Sequence, residues 1–172
     1  MLTFKGVHGT TVTAAVKICE EGFKIPDDPP GHSMYGNGVY FYENSENGII
    51  YALYWAQFYR EEISGKYSAI AADIKYGIKD AFLFEAAHFN SFVKKVEQKE
   101  IKQIENTRKN VLRELFILKA AEKKGVSGEV ILGDLPAGEY RKLKGCVVKA
   151  ARLLPAPSQL KVVKQEFLTW SV

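Results

Sequence analysis

The spacing of apolar residues changes several times along the chain, and each change marks an element. Residues 2–7, LTFKGV, read as a short strand ending at His8. Thr10 or Thr11 then offers a hydroxyl to cap a helix to about Glu21, with Val12, Val16 and Ile18 as apolar positions and Gly22 as its stop. Three prolines and two glycines make 24–37, KIPDDPPGHSMYGN, a loop. GVYFY at 38–42 is β-branched and aromatic, which predicts a strand. Asn44 or Ser45 caps the next helix, IIYALYWAQFYREE, whose aromatic residues fall on several faces and predict deep burial. Residues 66–76 alternate as a strand, and 80–85 make a short one. One or two helices occupy 88–124, with Val111, Leu112, Leu115, Phe116 and Leu118 as the apolar face and Gly125 and Gly128 as the end. Three strand-like runs follow, at 129–133, 145–154 and 160–170.

Strands come first, helices between and strands last, without regular βαβ alternation. That order predicts an α+β fold with mainly antiparallel sheets. A length of 172 residues fits one domain over 1–172, and no stretch reads as a linker or a repeat.

Composition narrows the class. Hydrophobic residues at 47% and charged residues at 26% are ordinary for a soluble globular chain. No apolar run approaches the roughly 20 residues that span a bilayer. Lys5, His8 and four threonines interrupt the first 19 residues, unlike a secretory signal. The expectation is a cytoplasmic protein with no membrane partner. Cys19 and Cys146 sit among apolar neighbours and read as reduced core residues. With three scattered histidines they form no zinc spacing, so no metal is expected; His32 and His88 read as structural or solvated. Net charge is +4, but residues 1–93 hold 7 basic and 11 acidic residues, and 94–172 hold 17 basic and 9 acidic. The basic half fits either a solvated helix face or a surface for nucleic acid or an acidic partner.

Three features carry candidate chemistry. His8-Gly9-Thr10 ends the first strand, a glycine-flanked turn opens Gly36-Asn37-Gly38-Val39-Tyr40-Phe41, and Glu129 heads an apolar strand. Glycine lets backbone approach a flat ligand closely. A histidine and a tyrosine on adjoining strand ends supply a hydrogen bond and a stacking face. A carboxylate at a strand edge stabilises developing positive charge.

In this order the three features resemble the diphtheria-toxin-like branch of ADP-ribosyltransferases, which includes the poly(ADP-ribose) polymerases and small bacterial transferases. The resemblance runs from Val7 to about Tyr59, includes Gly22-Phe23 and Met34-Tyr35, and continues more weakly at 128–143. It implies the ADP-ribosyltransferase fold, as two small mainly antiparallel sheets flanked by helices, with a helical insertion at about 88–124. It implies NAD as substrate, no metal, and cleavage of the nicotinamide–ribose bond through an oxocarbenium-like transition state.

The residue roles follow from the same resemblance. His8 would hydrogen-bond the adenosine ribose, and Gly9 would hold the nicotinamide amide through its backbone, with Thr10 beside them. Tyr40 would form one wall of the nicotinamide slot, and Tyr51, or Tyr54, the other. Glu129 would stabilise the cationic ribose, with Glu166 as the main alternative and Glu139 as a poorer one. Where the family often has a serine that bonds the nicotinamide amide, this chain has Gly48, with Ser45 one turn earlier. The implied activity is single-unit transfer of ADP-ribose to a macromolecular acceptor, nucleic acid ahead of protein. A small transferase of this kind resembles an intracellular toxin or phage-defence effector, with an antitoxin or inhibitor as partner. The alternatives are an RNA 2′-phosphotransferase or NAD glycohydrolase of the same fold, or a non-catalytic binding module for nucleic acid or a partner.

Overall fold

A computed structural model describes residues 1–27, 33–60, 65–138 and 141–167. The first strand, β1 (Leu2–Thr11), runs past His8 because it pairs with β3 (Lys66–Tyr76) along its whole length, from Leu2↔Tyr76 to Thr11↔Tyr67. Thr11 is the residue that caps helix α1 (Val12–Glu21): the Ala14 N–H donates to Thr11 Oγ1 at 3.1 Å. Gly22, at φ +88°, ends that helix in a conformation L side chains rarely adopt. Strand β2 (Val39–Glu43) leads into α2 (Glu46–Tyr59), where the Gly48 N–H donates to Ser45 Oγ at 3.0 Å. After β3 come β4 (Ala81–Leu83), α3 (Ala86–Glu100) and α4 (Asn106–Lys124). The predicted helical stretch is thus two helices, broken at Ile101 in the left-handed region with φ 56°. Strands β5 (Val130–Pro136), β6 (Lys142–Val148) and β7 (Lys161–Phe167) complete the order. The run predicted at 145–154 stops at Val148, and a 3-10 turn occupies Ala151–Leu153.

The α+β class holds, but the strands form one sheet where two were expected. Its order is β4-β5-β6-β2-β1-β3-β7. Every pair is antiparallel except β4 with β5. Two halves, β4-β5-β6-β2 and β1-β3-β7, meet through a ladder of only two positions, Gly6↔Glu43 and Val7↔Tyr42. So short a join is set by contact between distant segments, and nothing local in either strand announces it.

Alternating side chains give the sheet a core on each face. One core gathers Val7, Leu53, Phe89, Ile117 and Ile131 under α2, α3 and α4. The other gathers Phe41, Ile70, Ile74 and Cys146 with Ala15 of α1. Complete burial of a side chain such as Phe41 or Ile70 contributes about 1.5–3 kcal/mol. Two predicted faces differ from the observed ones. On α4, Val111 and Leu118 are each 67% exposed, while Ile117 and Ala121 are buried. On α2, Ala52, Leu53 and Ala56 are buried and Phe58 is 61% exposed. Among the described residues, no helix is long and apolar enough to cross a membrane.

Candidate active site

The short β1–β2 join creates the site. The Asn44 N–H donates to the Lys5 carbonyl at 2.8 Å, so the odd residues of β1 aim their backbone groups at β2. A continued ladder would pair Gly9 with Tyr40, but the register stops at Val7↔Tyr42. His8 replaces that bond: its Nδ1 lies 2.8 Å from the Tyr40 carbonyl. The Tyr40 oxygen, which Gly9 N–H would otherwise use, is thereby occupied by a side chain. The Gly9 N–H and C=O are left facing the gap between the two strands. A cavity of about 100 Å³ opens there, lined by Val7, His8, Gly9, Met34, Tyr40, Trp55 and Arg60 among others. An apolar cavity of ~150 Å³ accepts a benzene ring, so this one has the scale of a single flat ring only together with its open mouth.

Gly9 is required here by contact. A Cβ on it would sit 1.8 Å from the Ala52 carbonyl oxygen, so α2 rests directly on β1 at this point. The same holds at Gly48, where a Cβ would lie 1.8 Å from the Glu43 carbonyl oxygen. A serine therefore does not fit at position 48. Ser45 is spent on the helix cap and does not line the cavity.

Tyr40 is fixed at its far end. Its hydroxyl donates to the Gly36 carbonyl at 2.5 Å and accepts from the Tyr35 N–H at 3.0 Å. Burial pushes its hydroxyl up to about 12, so it stays neutral and serves as a wall. The loop that holds it is braced by the helical region. Arg113 Nη1 donates to the Met34 carbonyl at 3.1 Å and to Asn110 Oδ1 at 2.8 Å, with its guanidinium 4.9 Å from the Phe89 ring centre. Residues 86–124 thus buttress the wall that carries Met34.

His8 is held by Phe23, edge-on with centroids 5.2 Å apart, and by Phe41 at 5.8 Å. Burial above all, with a smaller push from the Arg60 charge, lowers its pKa to about 4 against the raising effect of the Tyr40 carbonyl. The ring is neutral at pH 7. With its Nδ1 hydrogen given to Tyr40, Nε2 is left as an acceptor for a ligand hydroxyl.

This shift has a pH consequence. The unfolded chain binds the His8 proton below about 6.5 and the folded one only below about 4. The stabilisation is whole above pH 6.5 and is lost as pH falls from 6.5 to 4, by about 3 kcal/mol in all. Urea midpoints from pH 7 to pH 4 are expected to fall more in the native protein than in His8→Asn. Parallel curves for the two proteins would contradict a buried neutral His8.

The remaining sequence-predicted residues lie elsewhere. Thr10 is buried in the ladder opposite Ser68 and does not line the cavity. Tyr51 is one turn before Trp55, beside Gly138, and its hydroxyl accepts from Arg141 at 3.5 Å. Tyr54 does not line the cavity either; Trp55 is the aromatic of α2 that does. Glu129 does not line it. It precedes β5, whose opposite end brings Leu135 and Pro136 to the cavity about 20 Å along the strand, while Gly38, another lining residue, stands about 10 Å from Glu129 across β6 by the Val39↔Val148 and Val148↔Val130 register. Its carboxylate accepts from Arg152, which also bonds Asp80 at 3.0 Å. Glu166 sits in β7 opposite Tyr67, two strands removed from β1, and its side chain lies outside the described residues. His32 and Glu139 also lie outside them.

Of the lining residues not singled out from sequence, Trp55 and Arg60 offer a large aromatic face and a cation. Trp55 follows Tyr51 by four positions, which on a helix is the same face. Arg60, just after α2, carried no comparable signal. Among the described residues lining the cavity none is acidic, and no cluster of metal-ligating side chains occurs. Cys146 is buried and its thiol is pushed up to about 12 by burial, which leaves it unreactive. Cys19 is half-buried and free. No family model matches the chain, and no curated protein matches it.

Proposed function

We propose that the protein cleaves the nicotinamide–ribose bond of NAD in this cavity and transfers ADP-ribose to a macromolecular acceptor. The observation that carries the reading is the exposed backbone edge at Gly9, opened because His8 takes the Tyr40 carbonyl. One N–H and one C=O on a glycine, beside a tyrosine wall and a tryptophan, match the donor, acceptor and flat ring of a nicotinamide amide. The neutral His8 offers Nε2 to a ribose hydroxyl. Met34, Tyr40 and Trp55 exclude water from the ring.

Bond breaking places positive charge on the ribose, so the reaction calls for a carboxylate. Glu129 does not line the cavity, and its carboxylate is bonded to Arg152. We assign the role to Glu139 by its position in the chain. It follows Pro136, which lines the cavity, and stands between Gly138 and Arg141, both of which reach Tyr51. For the acceptor, Lys94, Lys95, Lys99 and Lys102 are all exposed on or just after α3, and clustered cations favour nucleic acid over protein. Such a transferase fits a cytoplasmic toxin or phage-defence effector restrained by an antitoxin or inhibitor.

One observation favours a second reading. Arg60 beside His8 is the kind of cation a 2′-phosphotransferase needs for the 2′-phosphate of RNA. Incubation with labelled NAD and a lysate split into protein, RNA and DNA separates the readings. Label retained on one fraction is expected for the transferase. Free ADP-ribose and nicotinamide alone would mean a glycohydrolase. No NAD consumption would contradict NAD chemistry and leave the phosphotransferase or a binding module.

A further inference from the structure

Five arginines occur in the chain, and four have side-chain partners. Arg108 pairs with Glu100, Arg113 with the Met34 carbonyl and Asn110, Arg141 with the Tyr51 hydroxyl, and Arg152 with Asp80 and Glu129. Arg60 differs. Its backbone is fixed on both sides: its N–H donates to the Ala56 carbonyl at 2.8 Å, and its carbonyl accepts from the Tyr67 hydroxyl at 3.0 Å. Its guanidinium has no partner among the described residues, yet it lines the cavity close enough to His8 to disfavour that ring's protonation.

A cation anchored at its root, whose head has no partner among the described residues, is placed for an anion supplied by the ligand. It is the only charged residue among the described lining residues, in a cavity otherwise made of apolar, glycine and neutral polar groups. Its planar fork matches two phosphate oxygens at once, which a lysine cannot do. No carboxylate competes for it within the described lining.

We propose that Arg60 binds the pyrophosphate of NAD at the mouth of the cavity, next to His8, and so sets the preference for a dinucleotide over nicotinamide or its nucleoside. The proposal rests on the reading that the cavity takes NAD. A charged hydrogen-bonded contact of this type is worth about 10- to 100-fold in affinity. The guanidinium has no partner among the described residues, so its replacement is expected to leave the melting temperature near the native value.

The test is calorimetric titration of ADP-ribose and of nicotinamide into the native protein, Arg60→Ala and Arg60→Lys, with melting curves of all three. The expected result is about 10- to 100-fold weaker ADP-ribose binding in Arg60→Ala and an intermediate loss in Arg60→Lys. Nicotinamide binding and melting temperature are expected to be unchanged, and the loss to shrink as salt rises. If Arg60→Ala melts early, Arg60→Lys, which keeps the charge and loses the fork, decides by the same comparison. Equal ADP-ribose affinity in the native and substituted proteins would overturn the role of Arg60 and leave the NAD reading standing. A native protein that binds neither NAD nor ADP-ribose would overturn both. Loss in Arg60→Ala of binding to an oligoribonucleotide bearing a 2′-phosphate, with ADP-ribose unaffected, would move Arg60 to the other phosphate source.

Discussion

Gly9→Ala is expected to abolish NAD turnover. The added Cβ would stand 1.8 Å from the Ala52 carbonyl oxygen, a backbone atom inside a helix that cannot rotate away as a side-chain tip can. Either α2 lifts from β1 or β1 sinks away from α2. Both separate Gly9, which carries the exposed N–H and C=O, from Trp55, which faces it from α2. Misplacement by 1 Å costs about 100-fold in rate, and the clash forces at least that much. Overpacking also costs about 1–3 kcal/mol of stability. For a chain of this size that is a fall of several degrees in melting temperature. Nicotinamide release and thermal melting check the two effects together. Turnover near the native rate would mean that α2 does not rest on Gly9 and that the cavity is not where the chemistry occurs.

The second large effect concerns the carboxylate. Glu139→Gln is expected to lower the rate by about 100- to 1,000-fold while leaving NAD affinity nearly intact, because the lost charge acts only as the ribose becomes cationic. Glu129→Gln is expected to leave turnover near the native value. It removes one member of the exposed Asp80–Arg152–Glu129 cluster and touches nothing in the cavity. Steady-state kcat and KM for both variants separate the outcomes. A large kcat loss in Glu129→Gln with no loss in Glu139→Gln would reverse the assignment, and would require the Glu129 carboxylate to leave Arg152 for the cavity.

How far the sequence led depends on the range of the interactions involved. Alternation over 66–76 located β3 to the residue, and Gly22 ended α1 where its positive φ is needed. His8, Gly9 and Tyr40 were legible because a short motif fixes its own local geometry, and these three do line one cavity. The single sheet was not legible, since it hangs on two β1–β2 positions whose pairing depends on residues some 35 apart in the chain. Nor was the identity of the α2 aromatic. Tyr51 and Trp55 share a helix face, and only the seating of Ala52 on Gly9 selects Trp55 for the cavity. The strand that Glu129 heads was legible as an apolar run, but that its carboxylate accepts from Arg152 and does not line the cavity depends on contacts between distant segments. That no side chain fits at Gly48 was not legible either, because the cause, the nearby Glu43 carbonyl, is a tertiary contact. Arg60 gained meaning only when the fold brought the end of α2 to His8.

The most direct test of NAD occupancy is a crystal structure of Glu139→Gln soaked with NAD, a variant in which turnover is expected to be too slow to consume it. The expected density places the nicotinamide between Tyr40 and Trp55 with its amide on the Gly9 backbone, and the adenosine ribose within hydrogen-bond reach of His8 Nε2. Density for NAD elsewhere on the protein, or an empty β1–β2 gap at saturating NAD, would contradict the assignment of this cavity.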